Sequence, residues 1–173
     1  MAAALRIWQL LHDSVRHQLR QDLGRDKQST EANCRFSVSQ NNGKKGEVYG
    51  FDGGKKVKGR KRHIVVDSQG LLIGVLVTEA NASERLGAVV VLHEATEELS
   101  KLQVVWVVRG YSRENFAWGP DSRFAENRFE PSVIERTSKT FERLPKRWIV
   151  ERTFGWLNRF RRSRQRIMSC TQS

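Results

Sequence analysis

"KRHIVVDSQGLLIGVLVT", residues 61–78, decides the fold class. The first part is rich in β-branched residues and the second part, residues 71–78, is almost wholly apolar, so both predict β-strands. The Ser-Gln-Gly between them is short enough for a hairpin. The apolar run of the second segment also predicts a strand that is buried on both faces of its sheet.

Strand and helix patterns follow one another on both sides of this hairpin. In chain order they are a helix at 3–21, a weak strand at 33–40, a helix at 81–99, strands at 103–108 and 132–136, and a helix from 144 onward. Residues 112–131 carry charge, glycine and proline and predict a loop. This order predicts a mixed α/β layered domain.

Helical spacing predicts which side chains face the core. The first helix carries an apolar stripe made of Leu5, Trp8, Leu11, Val15 and Leu19. The second helix, with Asn81 or Ser83 as its cap, places these residues at core spacing: Leu86, Val89, Val90 and His93. The last helix has a stripe of Val150, Phe154 and Leu157, which is widened by Trp148, Trp156 and Phe160.

The charge balance favours a polyanionic partner. Lys and Arg number 31 against 19 Asp and Glu, a formal net charge of +12. Such an excess suits DNA or RNA because neutralised phosphates release counterions, although it also suits a chain that is merely soluble and adhesive. Cys34 and Cys170 lie far apart and form no metal pattern, which fits a reducing cytosol. No apolar run approaches the length of a membrane span.

The basic residues cluster in "GKKVKGRKRH", residues 54–63. The six cations that we assign to phosphate contact are Lys55, Lys56, Lys58, Arg60, Lys61 and Arg62. Glycines interrupt the run, so it can follow an irregular phosphate path. The alternative is a solvated strand edge whose lysines discourage strand-to-strand association.

A second charged segment is "PKRWIVERTFGWLNRFRR", residues 145–162. On a helix Glu151 lies at the border of the apolar stripe, where a carboxylate can point into a cleft. The alternative is a helix salt bridge from Glu151 to Arg147 or Arg152. The cations of this segment that we assign to DNA binding are Arg147, Arg152, Arg159 and Arg162.

Two long blocks carry a family resemblance. "YGFDGGKKVKGRKRHIVVDSQGLL" (49–72) and "LPKRWIVERTFGWLNRFRR" (144–162) resemble the signature blocks of bacterial insertion-sequence transposases of the DDE class. "TEANASERLGAVVVL" (78–92) and "VVWVVRGYSRENFA" (104–117) match in order and spacing. The resemblance covers about residues 5–162 and implies an α/β fold, a ribonuclease-H-like mixed sheet flanked by helices, here incomplete at its N-terminus.

The resemblance implies a site in which three carboxylates hold a pair of Mg²⁺ ions for phosphoryl transfer. The Glu of the family's W-x-V-E-R-T-F block falls on Glu151, which is retained. The Asp of W-A-D-G-G-Y falls on Val108, and the Asp of I-D-S-Q-S falls on Val38. Glu151 is then a vestigial metal ligand, and we expect no productive Mg²⁺ binding. Asp52 and Asp67 are the nearby acids that could substitute, but both lie at expected loop or turn positions.

The resemblance further implies DNA transposition, with the DNA ends of an insertion element and a homodimer as partners and the bacterial cytoplasm and nucleoid as location. The lost carboxylates predict impaired catalysis in a truncated, degenerate copy. A non-catalytic nucleic-acid-binding regulator and a non-functional remnant of a transposase gene stay open as alternatives. The expected segments are a helical lead-in at 1–32, the catalytic domain at 33–163 and an aberrant tail at 164–173.

Overall fold

The computed structural model describes residues 2–40, 49–108, 130–134 and 146–159, which form three helices and six strands. In chain order these are α1 (Ala2–Asp22), β1 (Glu31–Gln40), β2 (Gly50–Asp52), β3 (Val57–Asp67), β4 (Leu72–Glu79), α2 (Glu84–Glu94), β5 (Val104–Val108), β6 (Glu130–Ile134) and α3 (Arg147–Arg159). Every predicted helix and strand is present, and β3 begins four residues earlier than predicted. The predicted tail and most of the predicted loop at 112–131 lie outside the described residues.

All six strands belong to one mixed sheet. β3 pairs antiparallel with β1 on one side and with β4 and the short β2 on the other. β5 continues the sheet beyond β1, and β6 continues it beyond β5, both in parallel pairing. The mixed sheet flanked by helices confirms the predicted ribonuclease-H-like α/β fold.

The core consists of two apolar clusters, one on each face of the sheet. α2 covers the face that carries Cys34, Val65 and Val105. α3 covers the other face, where Ile149, Val150 and Phe154 pack on Ile64 and Val66. β3 contributes alternate residues to both clusters because successive side chains of a strand point to opposite faces.

The prediction that β4 is buried on both faces is wrong. Most β4 residues are only half-buried, whereas β3 is buried from Gly59 to Asp67. β3 has strands on both of its edges, but β4 pairs with β3 alone among the described residues. β4 is therefore apolar because it packs against α2 and α3, not because it lies in the centre of the sheet.

The predicted core face of α2 is also wrong. Ser83 caps the helix, as predicted, by accepting a hydrogen bond from the Leu86 N–H. The buried residues, however, are Gly87, Ala88, Val91 and Leu92, while Leu86, Val90 and His93 are exposed. Because a Cβ atom on Gly87 would lie 2.2 Å from His63 Cε1, the helix can approach β3 closely only through small side chains.

Charged side chains hold α1 against the domain. Arg20 donates to Asp67 at 2.5 Å, and Arg16 contacts Glu98; both arginines are buried. The apolar stripe predicted for this helix is instead exposed at Trp8, Leu11, Val15 and Leu19. The helix is thus confirmed, but ion pairs rather than the stripe dock it.

Candidate functional site

Glu151 lies on α3 at the edge of the apolar cluster, as predicted, and its side chain is half-exposed. Its neighbour Val150 and the residue one turn onward, Phe154, are buried against the sheet and fix the helix there. The carboxylate accepts a contact from Arg35 at 2.9 Å and lies 3.8 Å from Arg147 Nε. The Arg147 ion pair is one of the two salt bridges that helix spacing predicts.

Arg35 comes from β1 and was not foreseen as a site residue. Its neighbours Cys34 and Phe36 belong to the apolar cluster beneath α2, so alternation directs Arg35 to the α3 face of the sheet. Such a polar position between apolar ones was a usable signal in the sequence. The sequence could not show that Glu151 is the partner of Arg35, because Glu151 lies far along the chain and no local pattern connects the two residues.

β5 pairs with β1 on the side away from β3. The parallel pairing of the two strands aligns Asn33 of β1 with Trp106 of β5, two residues before Val108. Val108 ends β5, as predicted. The idea that Val108 replaces a metal-binding Asp stays a prediction.

The structure does not bring Val38 to Glu151. Val38 lies three residues beyond Arg35 and aligns with Lys61 of β3. Because it is two residues from Phe36, it falls on the α2 face of the sheet, opposite the face that carries Glu151. The interpretation of Val38 as a lost metal-binding Asp gains no support from this geometry and stays a prediction.

A small cavity of about 20 Å³ adjoins the Arg35–Glu151 pair, which is room for about one water molecule. Asn33 lines it and is 2% exposed, and its amide nitrogen and oxygen have no hydrogen-bond partner among the described residues. At the rim, Lys146 donates to Glu31 at 2.5 Å, and this hydrogen bond lowers the pKa of Glu31. The cavity wall is mainly apolar, and its polar members are the Asn33 amide and the cationic side chains of Arg35, Lys146 and Arg147.

The basic run at 55–62 divides into two parts. Lys55, Lys56 and Lys58 are exposed in and after the turn that links β2 to β3. Asp52 shapes this turn by accepting hydrogen bonds from the N–H groups of Lys55 and Gly54, which lower its pKa. The exposed lysines are placed where a polyanion can reach them.

The other three cations of the run, Arg60, Lys61 and Arg62, are buried in β3. Lys61 Nζ donates to the Ala82 carbonyl at 2.8 Å and lies over the Phe36 ring. Arg62 donates to Asn158 Oδ1 of α3 at 3.0 Å. The basic run is therefore not a single exposed strip, because these contacts hold β3 against its neighbours.

The cations of α3 also differ from one another. Arg159 is exposed, and Arg147 is half-buried beside Glu151. Arg152 stacks between the rings of Trp148 and Trp156. The prediction that these two tryptophans widen the buried stripe is wrong, because they are 60% and 45% exposed. Arg162 lies outside the described residues.

The described residues around Glu151 do not fit a pair of Mg²⁺ ions, which require several oxygen ligands. Its close charged neighbours are the guanidinium groups of Arg35 and Arg147. Asp67 is buried, and its oxygens accept from Arg20 and from the N–H groups of its own turn. Within the described ranges no group of three or more His, Cys, Asp or Glu side chains could hold a metal ion.

Comparison with protein families assigns most of the chain to one of them. The family model described as "Transposase DDE domain" matches residues 10–169. The chain belongs to this family. Members of the family generally use divalent metal ions, in contrast to the cationic surroundings of Glu151 described above.

One curated relative is similar over part of its length. The chain is 30% identical over 117 residues to "Putative transposase for insertion sequence element IS402" of Burkholderia cepacia. The similarity covers 63% of this chain and 54% of the relative, so the chain spans about half the length of the relative that it matches. In the part of the chain that the structure describes, no helix is long and apolar enough to cross a membrane.

Proposed function

We propose that this chain is a DNA-binding member of the transposase family in which strand cleavage is impaired. The observation that carries the proposal is the ion pair between Glu151 and Arg35. In a two-metal site carboxylates converge on the cations and each metal stabilises one reacting oxygen. Here the retained acid meets a guanidinium, which supplies positive charge but no vacant coordination position.

Electrostatics opposes a divalent ion at this place. Arg35 and Arg147 together carry two positive charges within 4 Å of the Glu151 oxygen, and Lys146 lines the adjoining cavity. A divalent cation would be repelled by these charges and, among the described residues, would find one carboxylate to bind here. Loss of Asp at position 108 adds to this effect in our proposal, since valine has no ligand oxygen.

DNA contact in this proposal falls to the exposed cations. Among the described residues that the sequence assigns to DNA binding, the exposed ones are Lys55, Lys56, Lys58 and Arg159. The excess of positive charge favours the approach of any DNA, and base-edge contacts would be needed for specificity. The insertion element's ends, a homodimer on paired ends and location at the bacterial nucleoid are further parts of the same proposal.

The metal part is tested by Mn²⁺ binding, followed by electron paramagnetic resonance. We expect the unmodified chain to leave Mn²⁺ free, whereas Arg35→Asp combined with Val108→Asp creates a site, because a carboxylate replaces the guanidinium beside Glu151 and a third carboxylate is added at the end of β5. Val38→Asp combined with Val108→Asp is the matched control and tests the alternative assignment on β1. Adding Glu151→Gln should remove any gained site, and thermal melting checks that each variant is folded.

Cleavage is tested with DNA that carries the ends of the insertion element, in Mg²⁺ or Mn²⁺. We expect binding without nicking. Robust nicking that disappears in Glu151→Gln would overturn the impaired-catalysis proposal. Footprinting on the same DNA addresses the second candidate function, a regulator that competes with an intact transposase. Protection confined to the ends favours that regulator, which rests on the same exposed cations and cationic site.

A further inference from the structure

The outer face of α3 carries a row of two indoles and a guanidinium. Trp148, Arg152 and Trp156 follow one another at intervals of four residues, which places them on one side of the helix. The Arg152 guanidinium lies 4.7 Å from the ring centroid of Trp148 and 4.8 Å from that of Trp156. We call these three residues the Trp–Arg–Trp row.

The row is held in place by the β3–β4 turn. Arg152 Nη2 donates to the Gln69 carbonyl, and Thr153 Oγ1 donates to the Gly70 carbonyl at 2.7 Å. The turn itself is fixed by Asp67, which accepts from the N–H groups of Gln69 and Leu71. The exposed indole surfaces are therefore held in a preorganised position, so that little conformational entropy would be lost on binding.

Two features of the row point to its ligand. Large exposed aromatic surfaces commonly mark interaction sites, and Trp148 and Trp156 are 60% and 45% exposed. Arg159 lies seven residues after Arg152 on the same side of the helix and is exposed. Flat aromatic faces interleaved with cations match a chain of nucleobases joined by phosphates, because bases stack on indoles while phosphates pair with arginine.

We propose that the Trp–Arg–Trp row binds unpaired nucleobases of single-stranded DNA. The bases stack on the exposed parts of the Trp148 and Trp156 rings, and Arg159 neutralises the adjoining phosphates. This inference rests on the proposed DNA binding and deepens it. It assigns duplex contact to the exposed lysines Lys55, Lys56 and Lys58 and single-strand contact to α3, so the two can be separated by experiment.

The test compares a short fluorescent oligothymidylate with a duplex of equal length. Trp148→Ala and Trp156→Ala should each weaken single-strand binding about tenfold, in line with the loss of one stacked base, and leave duplex affinity unchanged. Trp148→Phe and Trp156→Phe should retain most of the affinity because a phenyl ring still stacks. Trp8→Ala, at a 66% exposed tryptophan on α1, is the matched control and should change neither affinity.

The outcomes separate the two proposals. Duplex binding with single-strand binding that is indifferent to Trp148 and Trp156 overturns the stacking site alone. Absence of binding to both DNAs overturns the proposed DNA-binding function and the stacking site with it. If the alanine variants change the sedimentation coefficient of the chain instead of its single-strand affinity, the row is a protein interface and the inference is wrong.

Discussion

At the residue scale, burial decides the charge of His63. Its imidazole is fully buried between β3 and α2, and Nε2 lies 3.0 Å from the Thr78 hydroxyl. Burial lowers the pKa of His63 from 6.5 to about 4, and the nearby Lys61 ammonium contributes to the same shift. A neutral ring at this position can pack against Gly87 and is not repelled by the Lys61 ammonium beside it.

This lowered pKa predicts a pH-dependent free energy of unfolding. Between pH 6.5 and about 4 the unfolded chain protonates His63 while the folded chain does not. Stability therefore falls as the pH falls through this window, by about 3 kcal/mol in total. Urea unfolding at several pH values measures the effect, and the difference from His63→Gln isolates it from carboxylate titration. His93→Gln, at an exposed position of α2, should keep the full pH dependence; a flat difference curve for His63→Gln would contradict the prediction.

At the element scale, two helix glycines predict opposite effects of the same substitution. Gly87→Ala in α2 places a Cβ atom 2.2 Å from the His63 ring, so the helix must move away from β3. We expect a loss of about 1–3 kcal/mol in the free energy of unfolding. Gly155→Ala in α3 meets no atom of the described residues within 4 Å and should stabilise the chain by about 0.5–1 kcal/mol. Denaturant midpoints measured side by side test the pair, and equal destabilisation by both would show that packing around Gly87 is not the cause.

The elements also show where sequence reasoning succeeds. The β-branched runs of β3 and β5 and the spacing of Val150, Phe154 and Leu157 are local signals, and each gave the correct element. The face of α2 could not be read, because "LGAVVVL" is apolar around the whole helix and the fit of its small residues to His63 selects the buried side.

Two features of the site could not be predicted from the sequence, because they also depend on contacts between side chains in the folded chain. Indoles usually count as core residues, but Trp148 and Trp156 find their partner in the Arg152 guanidinium on the helix surface. The contact between Arg35 and Glu151 depends on how α3 crosses β1, which is tertiary geometry. The family motifs located Glu151 and the end of β5, but they did not reveal the cation that Glu151 meets.

At the scale of the whole molecule, the cations behind the net charge of +12 do not all lie at the surface. Part of it is internal, since Arg16 and Arg20 dock α1 and Lys61 and Arg62 brace β3. Among the described cations that we assign to DNA binding, those exposed to a polyanion are Lys55, Lys56 and Lys58 around the start of β3 and Arg159 on α3. The net charge therefore overstates the number of phosphates that the chain can neutralise.

This division predicts that neighbouring lysines affect different properties. Lys56→Gln combined with Lys58→Gln removes two exposed cations. The slope of log affinity for duplex DNA against log salt concentration should fall in magnitude by about 0.9 for each phosphate that is no longer neutralised. The melting temperature should be unchanged. Lys61→Gln instead removes a buried hydrogen bond to the Ala82 carbonyl and should cost about 1–3 kcal/mol of stability with the salt slope preserved. Fluorescence anisotropy at several salt concentrations and thermal melting measure the two properties on the same samples. If Lys61→Gln lowered the salt slope without lowering stability, the part of β3 that is buried here would face the DNA, and the exposed lysines would not mark the binding surface.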